Sequence, residues 1–593
     1  MKKALTVFLP VYICLLLVVF LSSCSDSSGD LVGTTNVSSV TEKTYKTSGI
    51  CNDTVKWKYD ASTSAFCYFG SGKITNSDGV TESEESHWAR IAENICFEEG
   101  ITDAEEHTFW LFDKVKAVYI PASYIGIVPK TEYMEKYVVA ENNPKYSSDE
   151  YGVLFNQDKT ELIRFPVCNP IDFYEIPEGV TTIWSGAFDG SKNLKTVTVP
   201  ESLENISTAT FEKSAVYSNP ANWEDDVFYA GDRLVKVERK TKAENIIVKE
   251  GTRRIETQAF AGCENIKSIT IPDSVEIIGA QAFESCLSLE TVYIGSGVKE
   301  IGESPFAFEI EGGPCINLKS IEVSQENSNY ISVDGVLFNK EMTELIQYPT
   351  GKKQKEYVIP DSVTKLGYGA FCYCDELMKL TVGKGITVID YCLLFGCDNI
   401  ETVILPDTLT KIDGGAFKYS GIKYIDIPDS VTFLGCEAMT ACHRLETVNI
   451  GERVSFIHEW AIGGSSLKEI NVDSENKYFT SEKGVLFNKD KTELLLYPDD
   501  KSGDTYRIPA SVKTIKNRAI MQAKNLRIIY VSSSVRKIEE ANFYESAEDP
   551  EIEYRNETNY DIYYDGTEKQ WNELFVNEYE REYIDKTKIH FSE

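Results

Sequence analysis

The sequence predicts an α/β repeat solenoid, and three observations support that prediction. Apolar residues that usually precede Pro or Gly recur about every 23 residues. The segments before them alternate apolar and other residues, which is the periodicity of a β-strand. An Ala-Phe-x-x-Cys stretch stands between consecutive strands and predicts one helical turn. A fixed period of roughly 20–29 residues is typical of a leucine-rich-repeat solenoid. The units begin at Val248, Ile271 and Ile294 in one run, and at Ile359, Val382, Leu405, Ile427 and Ile450 in another.

Two residue columns within the repeat are predicted to fill the core. The phenylalanine column consists of Phe188, Phe211, Phe260, Phe283, Phe306, Phe371 and Phe417. The cysteine column consists of Cys263, Cys286, Cys374, Cys397 and Cys442. A cysteine thiol acts as a small buried hydrophobe, which suits a tight interior corner. Stacking also places these thiols on adjacent coils, so disulfides between coils are the alternative.

Four insertions interrupt the repeat, near residues 143–166, 224–240, 329–349 and 477–498. Three of them share Gly-Val-Leu-Phe-Asn, a charged turn and a second apolar segment, which predicts a β-hairpin. Because the repeat resumes after each insertion, the hairpins are expected to project from one edge of a continuous parallel sheet. The Asp and Lys residues between the two strands indicate a type I turn rather than a calcium loop.

The two ends of the chain differ from its middle. Lys2, Lys3 and an apolar stretch predict a signal peptide over residues 1–23. A membrane anchor is the alternative, since the stretch is almost long enough to span. Leu21-Ser-Ser-Cys24 resembles a bacterial lipobox, and that resemblance implies a lipidated Cys24. Beyond it the sequence predicts a flexible tether over 24–47, a β-rich cap over 48–96, the solenoid over 97–545 and a C-terminal cap over 546–593.

Composition and motif content exclude several classes of function. The 593 residues carry a formal net charge of −33, which argues against a sequence-independent grip on nucleic acid or anionic lipid. None of the five histidines lies in a zinc-protease or nucleophile motif. The neighbours Cys442 and His443 are interpreted as structural, because the cysteine is a column position. We therefore predict no enzyme activity, no cofactor and no metal site.

Two repeat units carry a family resemblance. IPDSVEIIGAQAFESCLSLETVYI and IPDSVTKLGYGAFCYCDELMKLTV resemble the BspA-like leucine-rich-repeat family of bacterial surface proteins. The resemblance covers roughly residues 97–545, and it departs at Leu394 and Met439, where the family usually has Phe. It implies an exposed and often lipid-anchored protein. Some members are similar to adhesins for host matrix proteins or other bacteria.

The leading prediction is a cell-surface protein of the outer membrane, lipid-anchored through Cys24, that mediates adhesion by binding other proteins. Its partners would be proteins or glycans on host or neighbouring cells, and no nucleic acid. A surface or periplasmic accessory protein that captures glycans or nutrients is one alternative. A structural envelope spacer is another.

Overall fold

The structure is a computed structural model of the 593-residue chain. It describes residues 46–75, 84–204, 206, 208–306, 313–390, 392–463, 466–520, 523–540, 542–543, 560–576 and 584–592. The chain divides into a unit of residues Met1–Lys46 and a unit of residues Thr47–Glu593, and the second unit is described below. The predicted signal peptide, Cys24 and nearly all of the predicted tether lie outside the described residues.

The second unit is a solenoid of about 20 turns in which parallel strands stack into a main sheet. Alternate side chains of each strand point into the core, as period-two geometry requires. In three successive strands Ile269, Val292 and Ile321 are direct cross-strand partners, and all three side chains are fully buried. One coil alone buries too little apolar surface to stand by itself, so stability depends on contact with neighbouring coils.

The predicted continuous sheet is wrong in one respect, because the main sheet consists of five sections. The first comprises Ser48–Ile50, Val55–Asp60, Ala65–Gly70, Asn94–Phe97, Ala117–Ile120 and Lys136–Val139. The second comprises Phe173–Glu175 and Thr196–Thr198, and the third Asn245–Ile247, Ser268–Ile271, Thr291–Ile294 and Ser320–Val323. The fourth comprises Glu356–Val358, Lys379–Thr381, Thr402–Ile404, Tyr424–Ile427, Thr447–Ile450 and Glu469–Val472. The fifth comprises Thr505–Arg507, Ile528–Val531, Asp561–Tyr564 and Ile589–Phe591. Each break between sections coincides with one of the four insertions.

Each insertion is a three-stranded antiparallel unit. The strands are Tyr146–Ser148, Leu154–Asn156 and Glu161–Arg164; Trp223–Glu224, Val227–Ala230 and Arg233–Val237; Tyr330–Val333, Val336–Asn339 and Glu344–Gln347; and Phe479–Glu482, Val485–Asn488 and Glu493–Leu496. The last strand of each unit pairs in parallel with the next short strand of the solenoid's second edge. Those short strands are Thr182–Ile183, Arg254–Ile255, Ile277–Ile278, Glu300–Ile301, Lys365–Leu366, Val388–Ile389, Lys411–Ile412, Phe433–Leu434, Phe456–Ile457, Thr514–Ile515 and Lys537–Ile538. Two further pairs join Gly72–Ile74 to Ile101–Ala104 and Met439–Thr440 to Ile462–Gly463.

The prediction that the insertions project from the solenoid is wrong. The insertions cross the interior of the solenoid instead. In the strand Val336–Asn339, Val336 and Phe338 belong to the core cluster on one side, and Leu337 belongs to the cluster on the other. The strand Val485–Asn488 divides its side chains in the same way, with Leu486 facing one cluster and Phe487 the next. The buried apolar side chains of the described residues thus form five successive clusters, separated by four β-partitions.

A buried asparagine begins each of the three similar insertions. The side-chain amide of Asn327 donates to the carbonyls of Gly295 and Val298, at 2.9 and 3.1 Å. Its side-chain oxygen accepts from the backbone N–H groups of Asn329 and Tyr330, both at 2.8 Å. One side chain therefore ties the first residues of the insertion to the preceding coil. Asn143 and Asn476 occupy the equivalent positions.

The glycine of Gly-Val-Leu-Phe-Asn joins the partition to the main sheet. Gly335 has φ +76°, a left-handed conformation that side chains disfavour. Its carbonyl accepts from the N–H of Ile321 at 2.9 Å. A Cβ at this position would lie 2.6 Å from the Ser320 hydroxyl oxygen, so only glycine permits this close approach.

The structure contains little helix, so the α/β classification is not confirmed. Within the described ranges the α-helices are Glu84–Ala89, Ala215–Ser218 and Glu568–Asn572, and the 3₁₀ helices are Glu106–Phe109, Thr208–Thr210, Pro220–Asn222 and Lys586–Lys588. The Ala-Phe-x-x-Cys stretches are turns. Around Phe283, Gln281 and Ser285 have φ values of 54° and 57°. These left-handed residues prevent the turn from continuing as an α-helix.

The ends of the described unit close the stack with different elements. At the N-terminal end, antiparallel strands precede Ala65–Gly70, which pairs in parallel with Asn94–Phe97. The parallel stack therefore starts inside the range predicted as a cap. At the other end, Thr567 caps the helix Glu568–Asn572 and Trp571 packs into the core.

Candidate binding face

On the outward face of the main sheet, one side chain of each strand lies in cross-strand register with its neighbours in the same section, and we call this set of side chains the outer row. In the third section it starts at Ile247 and continues to Thr270, Tyr293 and Glu322. Because neighbouring strands lie about 4.8 Å apart, these side chains form a closely spaced line. The other sections contribute Cys67, Cys96, Tyr119 and Val138; Glu175 and Thr198; Val358, Thr381, Ile404, Asp426, Asn449 and Asn471; and Arg507, Tyr530, Tyr563 and His590.

Large apolar side chains are exposed along the middle of the outer row. Ile247 is 77% and Val358 63% exposed, and Tyr293 and Ile404 are 48% and 44% exposed. Tyr424, in the adjacent outward column, is 46% exposed. Isolated exposed apolar residues are common on protein surfaces, whereas aligned ones on a rigid sheet offer anchors for a partner.

Polar and aromatic contacts link several other positions of the outer row to one another. The Asn449 amide donates to Asp426 at 2.6 Å, and the Asn471 amide donates to Asn449 at 3.0 Å. In the fifth section the Arg507 guanidinium lies 3.9 Å from the ring centroid of Tyr530. Tyr530 in turn stacks on Tyr563 at 5.2 Å between centroids. These contacts hold the side chains in place before any partner binds.

A groove of about 780 Å³ lies where the short strands of the second edge are interrupted, between Glu300–Ile301 and Glu344–Gln347. Its lining includes the acidic residues Glu303 and Asp390. Glu344, another lining residue, pairs with Lys365 at 2.8 Å. Three of the four charged side chains that line the groove are therefore carboxylates.

The predicted phenylalanine column is buried along its whole length. Rings on adjacent coils approach each other, with centroid distances of 5.4 Å between Phe260 and Phe283 and 5.0 Å between Phe188 and Phe211. The same column continues through Tyr348, whose ring stacks on Phe371 at 5.0 Å. The role of this column in the structure is packing between coils.

The predicted cysteine column is also buried, and its thiols have hydrogen-bond acceptors. The Sγ atoms of Cys286, Cys397 and Cys442 donate to the carbonyl of the column phenylalanine one coil earlier, at 3.2, 2.9 and 3.0 Å. Burial raises the pKa of Cys442 to about 11, so the thiol remains protonated at neutral pH and is a poor nucleophile. Cys263 and Cys374 are buried in the same column, whereas the predicted lipidation site Cys24 lies outside the described residues.

The side chains of the sequence neighbours Cys442 and His443 lie in different environments. Cys442 points into the core, whereas its neighbour His443 is exposed, so the two side chains do not converge. Within the part of the chain that the structure describes, no group of three or more His, Cys, Asp or Glu side chains is arranged to hold a metal ion. No helix in those ranges is long and apolar enough to cross a membrane.

The family model for the BspA type leucine rich repeat region matches residues 163–230, 238–351, 348–468 and 500–563, in six copies. These ranges cover more than half of the chain. The chain belongs to the BspA-type leucine-rich-repeat family. Membership in this family indicates a role in protein–protein interaction, and its repeats are typically non-catalytic.

Solved structures similar to this BspA-type chain come from several bacteria. The pneumococcal vaccine antigen PcpA is 19% identical over 82% of this chain and 95% of its own, with a TM-score of 0.35. A leucine-rich cell surface protein from Faecalibacterium prausnitzii is 14% identical over 89% and 97%, with a TM-score of 0.30. A leucine-rich-repeat protein from Bacteroides ovatus is 17% identical over 76% and 98%, with a TM-score of 0.32. These values describe a distant likeness. No curated protein matches this chain.

Proposed function

We propose that this BspA-type protein is a lipid-anchored adhesin of the bacterial surface, which binds matrix proteins or proteins of neighbouring cells through the outer row. One observation carries the proposal of the binding face: Val358, Ile404 and Tyr424 are exposed on the outward face of the fourth section of the main sheet, on three of its six strands. Aromatic and large apolar side chains on a rigid surface are effective anchors in protein interfaces.

The proposed location rests on the sequence. Lys2 and Lys3, the apolar stretch and Leu21-Ser-Ser-Cys24 form the pattern of an exported lipoprotein. Lipidation of Cys24 would place the repeats beyond the tether of residues 24–47. The net charge of −33 favours solubility of such an exposed domain.

Replacement of the three outward side chains tests the proposed face. The full chain carrying Val358→Thr, Ile404→Thr and Tyr424→Thr would be expressed in cells of the source organism that lack the native protein. Attachment of these cells to immobilised matrix proteins should be at least about tenfold weaker than with the wild type, which corresponds to a loss of ~1.4 kcal/mol in binding free energy. Threonine preserves strand propensity, so the sheet is expected to stay folded. Attachment would be measured in parallel on matrix proteins, on polysaccharides and on albumin.

A control variant removes exposed apolar surface away from the main sheet. Ile316→Thr with Val576→Thr replaces two side chains that are 51% and 58% exposed, and attachment should be unchanged. Equal attachment by the outward variant and the wild type would refute this binding face. Wild-type attachment to polysaccharide alone would favour a capture protein, and attachment to no surface would favour a spacer.

A further inference from the structure

Two cysteines head the outer row at the N-terminal end of the stack. Phe66 and Tyr68 point into the core, so Cys67 between them faces outward. Cys96 faces outward for the same reason, between Ile95 and Phe97. Both thiols are partly exposed, unlike those of the buried cysteine column.

The strand register places these two cysteines directly beside each other. Cys67 and Cys96 are cross-strand partners in a parallel pair. The spacing of about 4.8 Å between neighbouring strands falls within the Cα separation of roughly 4.4–6.8 Å that a disulfide requires. Both side chains stand on the outward face of the sheet, so the strand register brings the two thiols together.

The surroundings make the two thiols unequal. Interaction with the neighbouring Cys67 thiol lowers the pKa of Cys96 to about 7. The same interaction, together with burial, raises the pKa of Cys67. Lys58 is the cross-strand partner of Cys67 on the other side, and Glu98 binds its ammonium group. Ionisation of Cys96 would make it the attacking thiol, with Cys67 as its resolving partner, and the single-cysteine variants below test this order.

We propose that Cys67 and Cys96 form a redox-active dithiol on the protein surface, which a small-molecule disulfide oxidises to an intramolecular disulfide. The cross-link would join the strands Ala65–Gly70 and Asn94–Phe97, the first parallel pair of the stack. It would leave the buried cysteine column reduced, because solutes cannot reach those thiols. Tyr119, the next residue of the outer row, lies beside the dithiol.

The reaction proceeds by two exchanges. The Cys96 thiolate attacks one sulfur of the oxidant, breaks its S–S bond and releases a thiolate that takes up a proton. Cys67 then gives its proton to solvent and attacks the Sγ atom of Cys96, which releases the second half of the oxidant as a thiol. The chain loses two electrons and two protons, and the oxidant gains them as it becomes two thiols.

Peptide mapping of the full chain tests the proposal. Reduced, folded protein would be equilibrated with reduced and oxidised glutathione, and remaining thiols would be blocked with iodoacetamide under denaturing conditions. Cleavage after Lys and Arg releases residues 59–73 with Cys67 and residues 91–114 with Cys96, each with a single cysteine. We expect these two peptides to be joined by a disulfide that dithiothreitol reverses.

Cys286 and Cys315 provide an internal control, because they belong to the same core cluster but are fully buried. Both should be recovered as blocked thiols from the same sample.

Two variants assign the steps. Cys67→Ser should trap Cys96 as a stable glutathione adduct, and Cys96→Ser should leave Cys67 as a thiol. Circular dichroism would verify that both variants fold. A stable glutathione adduct on Cys96 of the wild type without the cross-link, or no reaction at either cysteine, would overturn the proposal.

Discussion

Replacing Asn476 with alanine is expected to destabilise its coil by about 4 kcal/mol or more, because four buried groups lose their partner at a cost of at least about 1 kcal/mol each. The Asn476 side chain is fully buried. Its amide donates to the carbonyls of Gly451 and Val454, at 2.9 and 3.0 Å. Its oxygen accepts from the N–H groups of Tyr478 and Phe479, at 2.9 and 2.8 Å. Alanine would leave all four backbone groups without this partner.

Native-state hydrogen exchange is the appropriate measurement, because a repeat array opens locally rather than in one step. Exchange should accelerate in the strands Thr447–Ile450 and Val485–Asn488, on the two sides of the insertion's entry. Asn471→Ala is the matched control in the same section, since Asn471 is exposed and its amide bonds only a neighbouring side chain. An effect of Asn476→Ala no larger than that of the control would contradict this role for the buried asparagine.

Removing the carboxylate of Glu256 is expected to cost roughly 3–5 kcal/mol, because it leaves a buried cation unpaired. The Arg233 guanidinium lies 3.0 Å from Glu256, and both side chains are almost completely buried. Arg233 also donates to the carbonyls of Pro200 and Leu203. The pair lies at the second insertion, which lacks a buried entry asparagine like those of the other three, and it joins that insertion to the coils on both sides. Burial raises the pKa of Glu256 against the opposing attraction of Arg233.

The exposed pair Glu276–Lys299 is the matched control, because it spans the same 23-residue separation with a contact of 2.8 Å. Glu276→Ala should cost less than about 1 kcal/mol, as is usual for exposed ion pairs. The double variant Arg233→Met with Glu256→Met should recover much of the stability lost in Glu256→Ala, since an apolar pair needs no charge partner. Equal losses from Glu256→Ala and Glu276→Ala, measured by hydrogen exchange, would contradict the account.

The repeat columns were predictable because one physical constraint acts on every coil. Phe283 and Cys286 recur at the same offset in other units, so their stacking is visible in the sequence without any structure. The left-handed residues Gln281 and Ser285 were not predictable in the same way. Neither residue is glycine, and neither side chain favours a positive φ. The turn was therefore predicted to be helical.

The sequence contains a signal for the β-partitions, but the prediction of projecting hairpins did not use it. The unbroken apolar run Val336-Leu337-Phe338 is typical of a strand buried on both faces, whereas a projecting hairpin would alternate. The entry asparagines Asn143, Asn327 and Asn476 each stand three residues before a tyrosine or phenylalanine, a spacing that could have been found. The Arg233–Glu256 pair could not have been found from the sequence. The chain has 93 acidic and 60 basic residues, and the sequence does not distinguish one buried pair from the many exposed ones.

The most direct test of a cell-surface binding protein is whether the repeats can be reached from outside intact cells of the source organism. A membrane-impermeant amine label would be applied before and after the outer envelope is broken, and labelled lysines would be located by mass spectrometry. Lys299 and Lys379 are partly exposed in the structure and would report on the repeats. The account predicts that both are labelled on intact cells. Protection of both until the envelope is broken would contradict a surface adhesin and favour a periplasmic role.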